Sequence, residues 1–198
     1  MAGSADLRPG AEDFNRRFVD LVMKVLGDAP KSDEAVSRTP EDRARVIAGR
    51  ASLHAAALSG SLALPPGPLG LVTLLPDLFF IWKIQSQMVA DIAAVYGKTA
   101  ALNREHLVYC LFKHAASQAV RDLVVRAGQR ILIRRAPLSF LRQVLGKVGV
   151  SVAERVAGKA LARLLPFIGA VGVGAYAYHD TASVARTAIE FFGQEGVS

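Results

Sequence analysis

The chain has 198 residues, 52% of them hydrophobic, and it carries 24 lysine and arginine residues against 17 aspartate and glutamate residues. This length suits one domain with a full hydrophobic core, and the apolar content excludes a chain that is disordered throughout. A single cysteine excludes an intramolecular disulfide scaffold, and the first residues lack the apolar stretch of a secretory signal. We therefore expect a protein of the reducing cytoplasm.

An amphipathic helix is the first predicted element. Apolar side chains recur every three or four residues from Phe14 to Val25, and Gly27 ends the pattern. A polar stretch follows, and the next helix begins with Thr39 as its cap and Pro40 as its first residue. The predicted divisions are an N-terminal arm of helix and polar linker at 1–38, a main helical domain at 39–193 and a tail at 194–198.

The second helix runs into a long uncharged block. No side chain from Ala51 to Pro76 is formally charged, and small residues dominate its first half. The block is interrupted at 64–70 by Leu-Pro-Pro-Gly-Pro-Leu-Gly, which no helix tolerates. Neither half therefore reaches the roughly 20 residues of a membrane span. Two alternatives stay open: a helical hairpin buried in a soluble core, or a re-entrant hairpin that dips into a bilayer from one side.

A long third helix is predicted from Pro76 to a stop at Gly97. One face of this helix is apolar. The charged residues of the helix are Asp77, Lys83 and Asp91. Asp77 falls in the first turn, where the helix dipole favours a carboxylate, and this placement requires no function.

Asn103 is the predicted cap of a fourth helix, which carries a stripe of possible metal ligands. His106, Cys110 and His114 follow one another at intervals of four residues, and two ligands at that spacing can share a metal ion. The same helix has an apolar face, however, and a free cysteine is usually buried. We therefore predict no metal site and no cofactor.

Basic residues concentrate at 113–163, which we call the basic segment. It holds 11 lysine and arginine residues against two acidic residues, a net +9, and the rest of the chain carries −2 (13 basic against 15 acidic). This imbalance favours an anionic partner, although a solvated helix face gives the same pattern. This segment has an apolar stripe beside arginines at every fourth residue. Such a pattern is typical of an amphipathic helix that lies among the lipid headgroups of a membrane, and also of an ordinary helix on the surface of a soluble protein. The candidate anion-contacting residues are Arg121, Arg126, Arg130, Arg134, Arg135 and Arg142.

The last helix is predicted to begin with a second uncharged block, from Leu164 to Tyr178. Three glycines lie close together in it, which suggests tight packing against another helix. His179 and Asp180 follow, and buried ionisable groups require partners, whether for structure or for function. The candidate members of a buried polar cluster are Asp77, Lys83, Asp91, His179 and Asp180.

Motifs of common enzyme classes are absent from the sequence. The glycines at 169–174 are not followed by the lysine and hydroxyl residue of a phosphate loop, and there is no GxSxG, HExxH or CxxC pattern. Aromatic residues are not interleaved with the arginines, so specific nucleic-acid recognition is not expected. The sequence favours a non-enzymatic protein, and the weakest alternative is an enzyme that acts on an apolar ligand through His179 and Asp180.

Four stretches of the chain resemble the EcsC family of bacterial helical proteins and, more distantly, the helical domain of YcjF-type GTPases. They are ASLHAAALSGSLALPPGPLG, LVTLLPDLFFIWKIQSQMVADIAAVYGK, the helix after Asn103, and LLPFIGAVGVGAYAYHDTASVARTAIEFF, and together they fall within 45–193. The resemblance implies an all-helical, membrane-associated protein that is linked by family name to an ABC-transporter system. It implies no catalytic residue.

The sequence thus predicts an all-α, compact multi-helix bundle with two Gly/Ala-rich apolar hairpin segments. The leading functional hypothesis is a peripheral protein at the inner face of the cell membrane. It would bind anionic lipid or a membrane protein, such as the transporter-related partner that the resemblance implies, through the basic amphipathic helix. The alternative is a soluble helical protein that encloses an apolar pocket for a lipid-like ligand.

Overall fold

A computed structural model describes residues 9–27, 30–62, 74–114, 137–159 and 166–194. All regular structure within these ranges is helical, which confirms the predicted all-α fold. The helices are α1 (Pro9–Gly27), α2 (Pro40–Leu62), α3 (Leu74–Val95), α4 (Arg104–Phe112), α5 (Leu138–Lys159) and α6 (Pro166–Gly193), with a 3-10 turn at Thr99–Ala101. The predicted break at 64–70 and most of the basic segment lie outside the described residues.

Helix ends fall close to the predicted signals. α1 ends at Gly27 and α2 begins at Pro40, as predicted. α3 begins at Leu74, two residues before the predicted Pro76, because a proline fits in a first turn whose N–H groups have no intrahelical partner. Asn103 caps α4 by accepting the backbone N–H of His106 through Oδ1 at 3.0 Å.

Gly97 ends the α3 region with a left-handed backbone, at a φ of +71°. Its N–H donates to the Ala94 carbonyl at 2.8 Å, and the next N–H, of Lys98, donates to the Ala93 carbonyl at 2.8 Å. These bonds satisfy carbonyls that the helix end leaves free, and glycine takes this conformation without steric cost.

Three aromatic rings join α1, α3 and α4 in the hydrophobic core. The Phe18 ring lies 5.1 Å from the Trp82 ring and 6.1 Å from the Phe112 ring, and the Trp82 and Phe112 rings are 5.8 Å apart. All three side chains are buried. The N-terminal helix is therefore packed into the core and is not detached from the helices of the main domain.

Close approach of α1 and α5 depends on a glycine. A Cβ built on Gly149 would lie 2.1 Å from Asn15 Oδ1 and 2.9 Å from Phe18 Cδ1. Both distances are shorter than van der Waals contact allows, so the α1 side chains occupy the space that a larger residue at position 149 would need.

The polar linker between α1 and α2 is bonded to α3. The Ser37 N–H donates to the Val95 carbonyl at 3.0 Å, and Gln87 Nε2 donates to the Lys31 carbonyl at 3.1 Å. These bonds fix the path of the linker along the last two turns of α3.

α2, α3 and α6 pack against one another in a layer. α3 and α6 run parallel, since Gln85 contacts Asp180 and Tyr96 contacts Gly193. α2 runs antiparallel to both, since Glu41 in its first turn lies near Tyr96 at the end of α3. Its backbone meets α6 at Gly174, where a Cβ would lie 3.1 Å from the Ala56 carbonyl oxygen. The two predicted apolar blocks therefore meet directly, with a small residue at the crossing as predicted for close packing.

Candidate functional site

Asp180 joins three parts of the fold through hydrogen bonds. Its Oδ1 lies 2.7 Å from His114 Nε2, just beyond the end of α4, and its Oδ2 accepts from Gln85 Nε2 of α3 at 2.8 Å. Gln85 also approaches the Thr181 hydroxyl at 3.2 Å. The Asp180 and His114 side chains are 19% and 25% exposed, so the pair is mostly shielded from water. The carboxylate is held within the helix layer and does not face solvent.

The predicted buried polar cluster does not form as a unit. Lys83 is exposed, with its Nζ 5.6 Å from the centre of the Phe79 ring, and His179 is exposed. Asp91 accepts a hydrogen bond from Gln87 one turn away at 2.9 Å, at the surface. The side chain of Asp77 lies outside the described residues. Successive helical residues point about 100° apart, so His179 cannot share the inward direction of its neighbour Asp180.

Sequence reasoning missed Gln85 and His114 as the partners of Asp180. Gln85 is 1% exposed and lies on the otherwise apolar face of α3. A polar residue on an apolar face requires a buried partner, and this was the available signal. The identity of that partner depends on the parallel packing of α3 and α6, which no local pattern specifies.

An exposed apolar surface lies on the α2–α6 pair, on the side of each helix away from α3. We call it the α2–α6 apolar surface and define it by five exposed side chains: Leu53, Ala57, Val171, Ala175 and Tyr178. Spacings of three and four residues place them along one side of each helix. The opposite sides of the same two turns are buried, as shown by Ala55 and Ala177.

Charge around this surface is basic or absent. No residue from Ala51 to Leu62 or from Pro166 to Tyr178 is formally charged. Arg50 immediately precedes the uncharged part of α2 and is exposed. Asp180 is the only acidic residue of α6 before Glu190, and its bonds to Gln85 and His114 hold it inward. The exposed face of α6 therefore lacks a negative charge over its first five turns.

Five of the six candidate anion-contacting residues, Arg121, Arg126, Arg130, Arg134 and Arg135, lie outside the described residues. The sixth, Arg142, lies on α5 and is exposed, with its guanidinium 3.6 Å from the Asp20 carboxylate. Both side chains of this pair are more than half exposed, so the pair holds Arg142 only weakly. Arg142 and the nearby exposed Lys147 are accessible to an anionic partner.

The predicted stripe of His106, Cys110 and His114 is divided between different environments. His106 is buried, with its ring centre 4.9 Å from that of Phe191. Burial raises the pKa of the Cys110 thiol well above its usual range, so the thiol is protonated and unreactive at neutral pH. Among the described residues there is no group of three or more side chains suited to hold a metal ion.

One described segment, Leu78–Val95 of α3, is long and apolar enough to cross a membrane, with a mean hydropathy of 1.2 and 56% of it buried in the protein. The central helix of a soluble core has the same properties, so this segment carries no argument for a span. Comparisons with protein-family models, with curated proteins and with solved structures find no match to this chain.

Proposed function

We propose that this chain is a non-enzymatic helical protein that associates peripherally with an anionic membrane surface at the inner face of the cell membrane. The observation that carries the proposal is the exposed α2–α6 apolar surface, which has Arg50 at its border and no acidic group facing out. Apolar side chains next to basic ones suit a bilayer interface, where the former meet acyl chains and the latter meet headgroups.

The basic segment supports the same function by a long-range electrostatic effect. Each lysine or arginine near an anionic membrane contributes about 1 kcal/mol. A net +9 over residues 113–163 is therefore enough for reversible binding without a membrane-spanning helix. The resemblance to the EcsC family points the same way and adds a transporter-related membrane protein as a second possible partner.

Liposome flotation with a charge-reversal variant tests the proposal. We expect wild-type protein to float with vesicles of phosphatidylcholine and phosphatidylglycerol at low salt and to float less at high salt or with phosphatidylcholine alone. The triple variant Arg126/Arg130/Arg134→Glu should lose at least about 3 kcal/mol of binding, on the order of a hundredfold in partitioning.

A matched triple variant controls for net charge. Arg16, Arg38 and Arg104 are exposed and lie outside the basic segment. Their replacement by glutamate therefore gives a protein with the same net charge as the first triple variant and leaves the basic segment unchanged. This variant should keep most of its binding at moderate salt. Wild-type protein that stays at the bottom of the gradient with every vesicle would contradict the proposal.

The alternative of a soluble protein with an apolar pocket between the two uncharged blocks has less support. Where the described residues of these blocks meet, the Gly174 backbone lies directly against that of Ala56 and Gly60, which leaves no space for a ligand at this crossing. Native mass spectrometry of the purified protein tests this alternative, which requires a co-purifying apolar molecule.

A further inference from the structure

The geometry points to how the protein meets the membrane: we infer that the α2–α6 apolar surface lies flat in the facing leaflet, with both helix axes parallel to the membrane plane. The inference rests on the proposed function and adds to it the contact surface, its orientation and its depth. It differs from binding by the basic segment alone, which requires no apolar residue to leave water.

Exposure of the surface residues gives the first argument. Leu53 is 64% exposed, Val171 is 75% exposed and Tyr178 is 43% exposed. These side chains lie on the sides of two helices that pack together along their length, and not at a helix tip. A bilayer contact that covers all of them must therefore run along the helix pair.

Charge at the border of the surface selects the occupant. Arg50 is exposed one turn before Leu53 on the same side of α2, and Asp180 is bonded inward to Gln85 and His114. An anionic headgroup layer is complementary to the guanidinium of Arg50, whereas a neutral apolar partner would leave this cation unpaired. Tyr178 has an apolar ring and a polar hydroxyl, which suits the boundary between acyl chains and headgroups.

Helix length excludes a span by these segments. The uncharged part of α6, Pro166–Tyr178, is about 20 Å long at 1.5 Å per residue, and that of α2, Ala51–Leu62, is about 18 Å long. A hydrocarbon core is about 30 Å thick. The pair can thus enter one leaflet only.

Asp77 decides between a flat and an end-on orientation. α3 runs parallel to α6, so the start of α3 lies at the same end of the layer as the start of α6, and Asp77 falls in that first turn. End-on entry would carry this first turn, with its formally charged aspartate, into hydrocarbon, which is strongly unfavourable. In a flat orientation, the first turn of α3 does not enter the hydrocarbon core.

Single-cysteine labelling tests the inference with the full chain. Cys110 is the only cysteine and is fully buried, so a maleimide fluorophore reacts selectively with an introduced surface cysteine. We would label Leu53→Cys, Val171→Cys and Tyr178→Cys, with Val36→Cys as the control. Val36 is 71% exposed and lies beside Gly97, at the far end of α3. Thermal unfolding of each labelled variant checks that the fold is unchanged.

Quenching by spin-labelled lipids in anionic vesicles then reports the depth of each probe. The inference predicts several-fold and similar quenching at positions 53, 171 and 178 by labels near the headgroups and upper acyl chains, and none at position 36. Deep quenching at 171 with shallow quenching at 178 would show end-on entry and overturn the flat orientation. If the protein floats while all four probes stay in water, the inference is wrong and the proposed function stands. If no variant and no wild-type protein floats, both are wrong.

Discussion

Phe18 and Val171 are both apolar side chains within well-formed helices, yet they have opposite environments. Phe18 is fully buried between the rings of Trp82 and Phe112, whereas Val171 is 75% exposed on α6. The first belongs to a core in which α1, α3, α4 and α5 meet around the ring. The second belongs to the α2–α6 apolar surface, where two helices pack tightly and no described helix covers their outer side.

The difference shows that apolar composition and burial are separate properties in this chain. Around Phe18, large aromatic rings interlock and exclude water, so burial there supplies stability. Around Val171, small residues bring the helix backbones together at Gly174 and Ala56, and the larger side chains face outward. A solvent-exposed surface of this kind marks an interaction site more often than a structural need.

The largest effect should come from truncation of two phenylalanines, one buried in the core and one exposed on α3. Phe18→Ala removes a fully buried ring and should lower the free energy of unfolding by about 3–5 kcal/mol. Phe80→Ala removes a ring that is 49% exposed and should cost less than about 1 kcal/mol. Urea unfolding followed by circular dichroism measures both. Equal losses would show that α1 is not part of the cooperative core.

A second pair of variants tests the contact between α1 and α5. Gly149→Ala places a methyl group 2.1 Å from Asn15 Oδ1 and should destabilise the protein by about 1–3 kcal/mol. Gly146→Ala, one turn earlier, meets Asn15 only at 3.9 Å and should be neutral or gain up to about 1 kcal/mol from helix propensity. Thermal unfolding separates the two. A gain in both would mean that α1 does not dock at this point.

A third pair of variants, with smaller expected effects, tests the packing of α2 against α6. Gly174→Ala brings a methyl group to 3.1 Å from the Ala56 carbonyl oxygen, and we expect a loss of about 1 kcal/mol. Gly172→Ala has open space around it and should gain about 0.5–1 kcal/mol. Differential scanning calorimetry resolves the expected opposite shifts in Tm. The same sign for both would contradict direct packing of the two uncharged blocks.

Local signals in the sequence were sufficient for four of the helix boundaries. Gly27, Pro40, Gly97 and Asn103 act through backbone geometry and capping, which depend on near neighbours alone. The all-α fold follows from the same local signals, since every strong apolar pattern has helical spacing.

Tertiary partners could not be predicted in this way. Asp180 and His114 are 66 residues apart, and their contact depends on where α6 lies relative to the end of α4. The exposure of Val171 could not be predicted either, because an uncharged run of residues gives the same sequence pattern whether the helix is buried or lies at a surface. The predicted contacts of Arg126, Arg130 and Arg134 stay predictions.

Flotation of two matched valine variants tests the central claim most directly. Val171→Glu and Val36→Glu each add one negative charge at a highly exposed valine, 75% and 71% exposed, one on the α2–α6 apolar surface and one far from it. We predict that Val171→Glu loses most of its flotation with anionic vesicles, while Val36→Glu floats like wild type. If both variants float as well as the wild-type protein, membrane contact through this surface is contradicted.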